Sequence, residues 1–404
     1  MRAGAVAALA VASALFASGA AGDPVAPAGL ARFSDVEVQR ILRHGPWPPP
    51  WAPDPSSRVS GRAAAAALGE RLFFDPRLSG GGTVSCATCH RPERRFTDGR
   101  PRAEGLAAVD RNTPALANVR WQRWFGWDGA GDSLWAESSR PILDPREMGG
   151  SARGVADLVR ADPDLGRGWV RAFGAAPGPD DLGVLVDAAK ALAAYQETLV
   201  SGRTPFDAFR DALAQGDVAA ARRYPLAAQR GLRLFVGRGA CHLCHLGPAF
   251  TSGEFQDVGI PFFVAPGRVD PGRYEGVKRL RANPFNLLGP HSDDPARTTA
   301  TGTRHVRLEH RNWGEFKVPS LRDVAHTAPY MHDGSLATLR DVVRHYSELD
   351  ESRLHVHGER ILRPLRLTDA EAEDLVAFLR SLSDERAPTA SGRPGSASPP
   401  RRPE

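Results

Sequence analysis

Four stretches of the chain carry apolar residues at i, i+3 and i+4: residues 156–174, 184–200, 205–216 and 369–382. That spacing places the apolar side chains on one face of an α-helix. A further helix is predicted to start at Thr338, where Thr338 and Asp341 have capping-box spacing. Leu339, Val342, Val343 and Tyr346 then fall on one face, so the face that packs the core also presents a phenol. His345 sits about 100° round that helix. No long stretch alternates with the period of two that a half-buried strand requires. Glycine and proline clusters at 79–82, 145–150, 260–273 and 284–296 mark loops. The pattern predicts a mostly α fold.

Composition narrows this only slightly. The 404 residues are 42% hydrophobic and 25% charged, which are globular values. The net charge of +5 is modest and spread along the chain. It favours an acidic protein partner weakly and gives no case for nucleic acid. Residues 1–22 read as a secretory signal peptide, with one early arginine, an Ala/Val/Leu run and small residues around Ala20–Gly22. The alternative is an uncleaved anchor, for which the run is short and alanine-rich. No other stretch could span a bilayer, so no stable membrane insertion is expected after cleavage. Residues 23–60 read as a Pro-rich N-terminal arm, with HGPWPPPWAPDPSS (44–57) as its stiff polyproline-type part. Residues 386–404, rich in Pro, Ser and Arg, read as a disordered tail.

The candidate chemistry lies in the cysteines. There are four, all in Cys-x-x-Cys-His motifs: Cys86, Cys89 and His90, then Cys241, Cys244 and His245. Two thiols at this spacing add across the two vinyl groups of one porphyrin, and the histidine reaches the iron; this is the c-type haem attachment signal. A redox Cys-x-x-Cys needs no histidine after it. A four-cysteine zinc site brings its pairs within roughly 15–20 residues of each other. Two disulfides are the ordinary expectation for an exported chain. With 12 histidines in 404 residues, two chance placements after the second cysteine come to roughly one in a thousand. Two covalently bound haem c groups are expected, and covalent haem attachment beyond the plasma membrane fits the leader. The expected compartment is the periplasm.

The motifs sit in a repeat. Gly69–Phe73 and Gly231–Phe235 both read Gly-x-Arg-Leu-Phe; Phe96–Gly99 and Phe250–Gly253 both read Phe-Thr-x-Gly. Two tandem c-type cytochrome domains are therefore expected, a first over 61–205 and a second over 206–385, with the haems near their interface.

The residue opposite each histidine decides the role, because two strong ligands make an electron carrier and an open face permits chemistry. Between His90 and Asn112 there is no His, Met or Cys. Further on, residues 125–150 hold Trp127, Glu137, Pro141, Glu147 and Met148 among glycines and prolines. Peroxide cleavage needs a base that takes a proton from one oxygen and delivers it to the other, and Glu147 has that chemistry. Read locally, a solvated loop carboxylate is the plainer reading of Glu147, and Met148 is a core residue or an iron ligand. For the second motif the candidates are Met331, His332, His345 and Tyr346. Helical periodicity favours Tyr346 over His345, although a core tyrosine with a satisfied hydroxyl is the plainer reading.

The stretches LGERLFFDPRLSGGGTVSCATCH, FTDGRPR, RNTPALANV, WDGAGDSL, EMGG, FKVPSLRDVAHTAPYMHDGSLATL and DLVAFLRSL occur in this order. As a set they resemble the bacterial di-haem cytochrome c peroxidase/MauG family over residues 60–385. The resemblance implies that His90 and His245 are the proximal iron ligands. It implies that Trp127 lies between the haems, that Glu147 is the peroxidatic glutamate, and that Pro141 lines the same pocket. Asn112, with Thr327 and Pro329 through backbone carbonyls, matches positions that bind one calcium ion, a hard cation suited to oxygen donors. Conventional members carry a distal histidine in the loop after the first motif and a methionine on the second haem. This chain has no histidine in that loop, and Tyr346 stands at the methionine position, which is the MauG-like pattern.

The implied function is a periplasmic di-haem oxidoreductase that uses hydrogen peroxide to form high-valent iron and oxidises a protein or small-molecule donor. The implied partner is a small cytochrome, a cupredoxin or a protein substrate. Two departures stand out. Glu137 occupies a pocket position where relatives tend to carry glutamine, and residues 236–240 before the second motif hold no aromatic residue to carry a hole outward. The rival readings are a conventional cytochrome c peroxidase and a non-catalytic dihaem electron carrier closed by a remote ligand such as His44 or Met148.

Overall fold

The computed structural model describes residues 29–260, 263–355, 361–384 and the backbone of 389–390. The expected leader and nearly all of the expected tail lie outside them. The fold is mostly helical, as the periodicity predicts. Helices Ala152–Ala161, Pro163–Phe173, Asp181–Gln196, Pro205–Gln215, Leu339–Ser347 and Asp369–Arg380 cover the amphipathic stretches. The last two start at the caps Thr338 and Thr368, each in a reciprocal capping box. Among the described residues, strands are confined to three antiparallel pairs, and no helix is long and apolar enough to cross a membrane.

The repeat has a packing cause. Helix Ala63–Phe73 crosses helix Asp181–Gln196, and helix Leu226–Val236 crosses helix Asp369–Arg380. At the first crossing Gly69 meets the carbonyl of Ala191; at the second Gly231 meets the carbonyl of Asp374. A Cβ at either glycine would collide with that carbonyl, so the repeated glycine lets two backbones approach closely.

Two hydrophobic clusters result. One gathers Leu68, Leu72, Phe73, Trp135, Leu185 and Leu192; the other gathers Phe206, Phe209, Phe235, Phe250 and Phe378. Sequence order crosses between them. Ile41, from the N-terminal arm, packs in the second cluster, while Phe285, Leu287 and Ala300 pack in the first.

The arm holds a helix ahead of residues 44–57, the stretch expected to be polyproline-type. Residues Asp35–Leu42 form a helix capped by Ser34 and Glu37. Trp47 is buried, its indole N–H donating to the Ser201 carbonyl at 3.0 Å, with the Arg322 guanidinium 3.6 Å from its ring. Its aromatic residues pin the arm, which a reading of its prolines alone does not anticipate.

Candidate haem cavity

One cavity of about 700 Å³ is lined by both Cys-x-x-Cys-His motifs. None of the four cysteines is in a disulfide, against the disulfide alternative. Burial favours the neutral thiol at three of them, pushing Cys86 and Cys241 up to about 12 and Cys89 up to about 11.

The histidines are held in the same way. His90 Nδ1 lies 2.9 Å from the Phe96 carbonyl, and His245 Nδ1 lies 3.1 Å from the Phe250 carbonyl. Each backbone carbonyl accepts a hydrogen bond from Nδ1–H, which keeps the proton on Nδ1 and leaves the Nε2 lone pair for a metal. Burial lowers both imidazole pKa values, His245 to about 4, which keeps them neutral as ligation requires. The carbonyls come from the repeated Phe-Thr-x-Gly element. Phe96 and Phe250 both adopt left-handed backbone, φ 59° and 52°, which is uncommon for a bulky residue. His44 backs the second site: its Nε2 is 3.1 Å from the His245 carbonyl, and its ring packs on Phe250 at 4.6 Å. These features fit a haem bound at each motif.

At the first motif, Pro141, Glu147, Glu137 and Met148 line the cavity. The Glu147 carboxylate is close enough to add to the rise at Cys86 and Cys89 and to oppose the fall at His90. Its backbone is pinned, the N–H donating to Asp144 O at 3.1 Å and the carbonyl accepting from Leu106 N at 3.0 Å. Arg140 is the residue that sequence reading missed. Its Nη1 donates to Glu147 Oε1 at 2.5 Å and its Nε to Glu137 Oε1 at 3.1 Å. The i, i+3 spacing of Glu137 and Arg140 was its only signal. Glu147 is therefore an ion-paired group of the cavity wall and no longer a free loop carboxylate.

At the second motif, Tyr346 and Met331 both line the cavity, and His345 does not. His345 Nε2 lies 2.8 Å from the Val258 carbonyl. Burial raises the Tyr346 phenol pKa, with smaller contributions from Cys241 and Cys244, which puts the phenol near the second pair of thiols. His332 is stacked on Phe316 with ring centroids 3.5 Å apart.

Trp127, which lines the same cavity, is tied at both ends. Its indole N–H donates to the Asn112 carbonyl at 2.8 Å, and its own carbonyl accepts from Lys317 N at 2.7 Å. Asn112 N donates to the His332 carbonyl at 2.7 Å, and Asn112 Nδ2 donates to the Arg100 carbonyl at 2.8 Å. These bonds bring Asn112 to the loop that carries Thr327 and Pro329, and all three line the cavity. Their amide and carbonyl oxygens suit a hard cation. No group of three or more His, Cys, Asp or Glu able to hold a metal occurs among the described residues.

Two motifs on one cavity define a di-haem c-type protein of the peroxidase class, and the chain belongs to the di-haem cytochrome c peroxidase/MauG family. Residues 63–215 match the family described as di-haem cytochrome c peroxidase. The chain is 38% identical to the methylamine utilization protein MauG of Methylorubrum extorquens over 80% of this chain and 78% of that one. It is 32% identical to the cytochrome-c peroxidase IdrP1 of Pseudomonas sp. (strain SCT), over 83% and 86%. Among solved structures, it resembles a MauG-like protein associated with microbial copper homeostasis at TM-score 0.65 and 30% identity, covering 86% of this chain and 98% of that one. It also resembles the diheme peroxidase BthA of Burkholderia thailandensis at TM-score 0.64 and 25% identity, covering 86% and 93%. The protein is accordingly a peroxide-using di-haem oxidoreductase with two haem c groups.

Proposed function

We propose that the protein is an exported, calcium-containing enzyme of the MauG-like type, built as two tandem haem domains. In this reading the first haem is open to peroxide and the second is ligated by His245 and Tyr346. The observation that carries it is the pair of oxygen groups on one cavity: a pinned carboxylate, Glu147, at the first motif and a phenol, Tyr346, at the second. Among the described residues that line the cavity, the remaining histidine and methionine candidates are His332, Met148 and Met331. His44 is spent on the His245 carbonyl and does not line it, so the closed electron-carrier reading loses that ligand.

When bound, haem supplies the redox chemistry. The chain does the rest. Glu147 accepts a proton at its carboxylate and returns it across the peroxide, Pro141 shapes the same wall, and Arg140 holds Glu147 in place. Trp127 lies on the route between the two motifs. An anionic oxygen from Tyr346 lowers the second haem's potential relative to a neutral thioether. Asn112, Thr327 and Pro329 would hold calcium beside Trp127. The reductant is a small redox protein, or a protein substrate, met in the periplasm.

Met331, which lines the same cavity as Tyr346, keeps the conventional cytochrome c peroxidase as the second reading. The test is to add peroxide to the diferric protein without prior reduction and to follow the haem spectrum. The MauG-like reading expects an immediate change at near-stoichiometric peroxide. Reactivity that appears only after half-reduction would install the second reading.

A further inference from the structure

The first-motif wall holds two carboxylates and one guanidinium between them. Arg140 reaches Glu147 with Nη1 and Glu137 with Nε, so each carboxylate receives one donor and neither has the guanidinium to itself. These two bonds use two of the five N–H donors of an arginine. The side chain is 43% exposed and lines the cavity. Burial works against its charge, and the two carboxylates more than restore it, so it stays a cation. Glu137 lies against the 125–131 turn: a Cβ at Gly131 would be 2.7 Å from its Oε2. The next cation, Lys317, donates to Gln122 Oε1 at 2.5 Å and to the Trp124 carbonyl at 3.0 Å; Glu137 acts on it only at longer range. Arg146, also on the wall, is paired with Asp110 at 3.1 Å.

We propose that Arg140 is a positioning residue shared by Glu137 and Glu147, a three-membered charge unit that fixes the Glu147 carboxylate and sets the pocket's affinity for anions. The inference rests on the reading of this pocket as the peroxide site. Its physical content is a balance of charge. Without Arg140 the wall carries two uncompensated carboxylates and repels an entering anion. Without the Glu137 charge, Arg140 is paired to Glu147 alone and the pocket is one unit more positive. Removal of both returns the balance.

Azide is the probe, titrated optically into the ferric holoprotein. Arg140→Leu should weaken azide binding by about tenfold, an effect of about 1.4 kcal/mol. Glu137→Gln should tighten it by roughly threefold or more, and the double variant, whose wall carries the parent's net charge, should return to within about threefold of the parent. Arg140→Lys keeps the charge but cannot make both fork contacts. It should hold azide affinity within about threefold while slowing the peroxide reaction at least tenfold. A merely structural arginine would not give this split. If azide binds the parent protein and both single variants leave its affinity unchanged, or Arg140→Lys leaves the peroxide rate unchanged, the shared unit is wrong and the peroxide-site reading stands. If azide leaves the parent spectrum unaltered, the first haem is closed and the reading and the inference fall together.

Discussion

Replacing Glu147 with glutamine removes a charge and a proton acceptor with almost no change in shape. The loop should stay where it is, because the Glu147 backbone is bonded to Asp144 and Leu106 independently of the side chain. The amide oxygen of the introduced glutamine can still accept from Arg140, and Arg140 keeps Glu137. The lost ion pair is partly open, with side chains 43% and 24% exposed, so its contribution to stability is at most about 1 kcal/mol. The melting temperature should therefore fall by only a few degrees. Loss of a positioned acid–base group costs roughly 10²–10⁴-fold in rate, which is a barrier increase of about 2.7–5.5 kcal/mol. The two magnitudes separate: a catalytic role predicts a large kinetic loss on a nearly unaltered fold. Stopped-flow mixing of diferric Glu147→Gln protein with peroxide, with haem content and thermal unfolding measured on the same preparation, reads both. A rate loss below tenfold would refute the acid–base role. A large loss accompanied by a collapsed melt would refute the argument that the loop is held by its backbone.

Other consequences follow from the same geometry. Gly231→Ala puts a Cβ into the Asp374 carbonyl, and Gly69→Ala one into that of Ala191; each should cost about 1–3 kcal/mol or more, seen in chemical denaturation, and a parent-like midpoint would contradict the close crossing. Lys317 is held down to about 8 by burial, below its ordinary value. The unfolded chain therefore binds more protons between about pH 8 and the ordinary lysine range, and the Lys317 contribution to stability must rise with pH across that window. Lys317→Met should flatten the rise, and an unchanged pH profile would count against the burial. Tyr346→Phe should remove the low-spin signal of the second haem while peroxide still reacts at the first; an unaltered signal would turn attention to Met331.

Much of the site could be read in the chain because its chemistry is local. Each haem motif is contiguous, and the helix that carries Tyr346 announces its cap and its apolar face within nine residues, Thr338 to Tyr346. The repeat was visible, but its reason was not. That Phe96 and Phe250 turn their carbonyls onto the histidines depends on left-handed backbone, and that Gly69 and Gly231 sit at helix crossings depends on partners more than a hundred residues away. His44, which supports His245 from the N-terminal arm, and Phe285, which joins the first core from the second half, are long-range contacts of the same kind. Periodicity reports which face of a helix is buried; it does not report what the face meets. Arg140 escaped for a different reason: an i, i+3 Glu–Arg pair is common on solvated helices, and only the fold turns this one into a cavity.

Everything proposed for the function turns on a difference between the two haems: one open beside Glu147, the other closed by Tyr346. The electron paramagnetic resonance spectrum of the as-isolated ferric protein, recorded beside that of Tyr346→Phe, reads that difference without an intervening step. The expected result is one high-spin and one low-spin haem in the parent, and loss or alteration of the low-spin component alone in the variant. Two low-spin haems in the parent, or a low-spin signal indifferent to the loss of the phenol oxygen, would overturn the assignment.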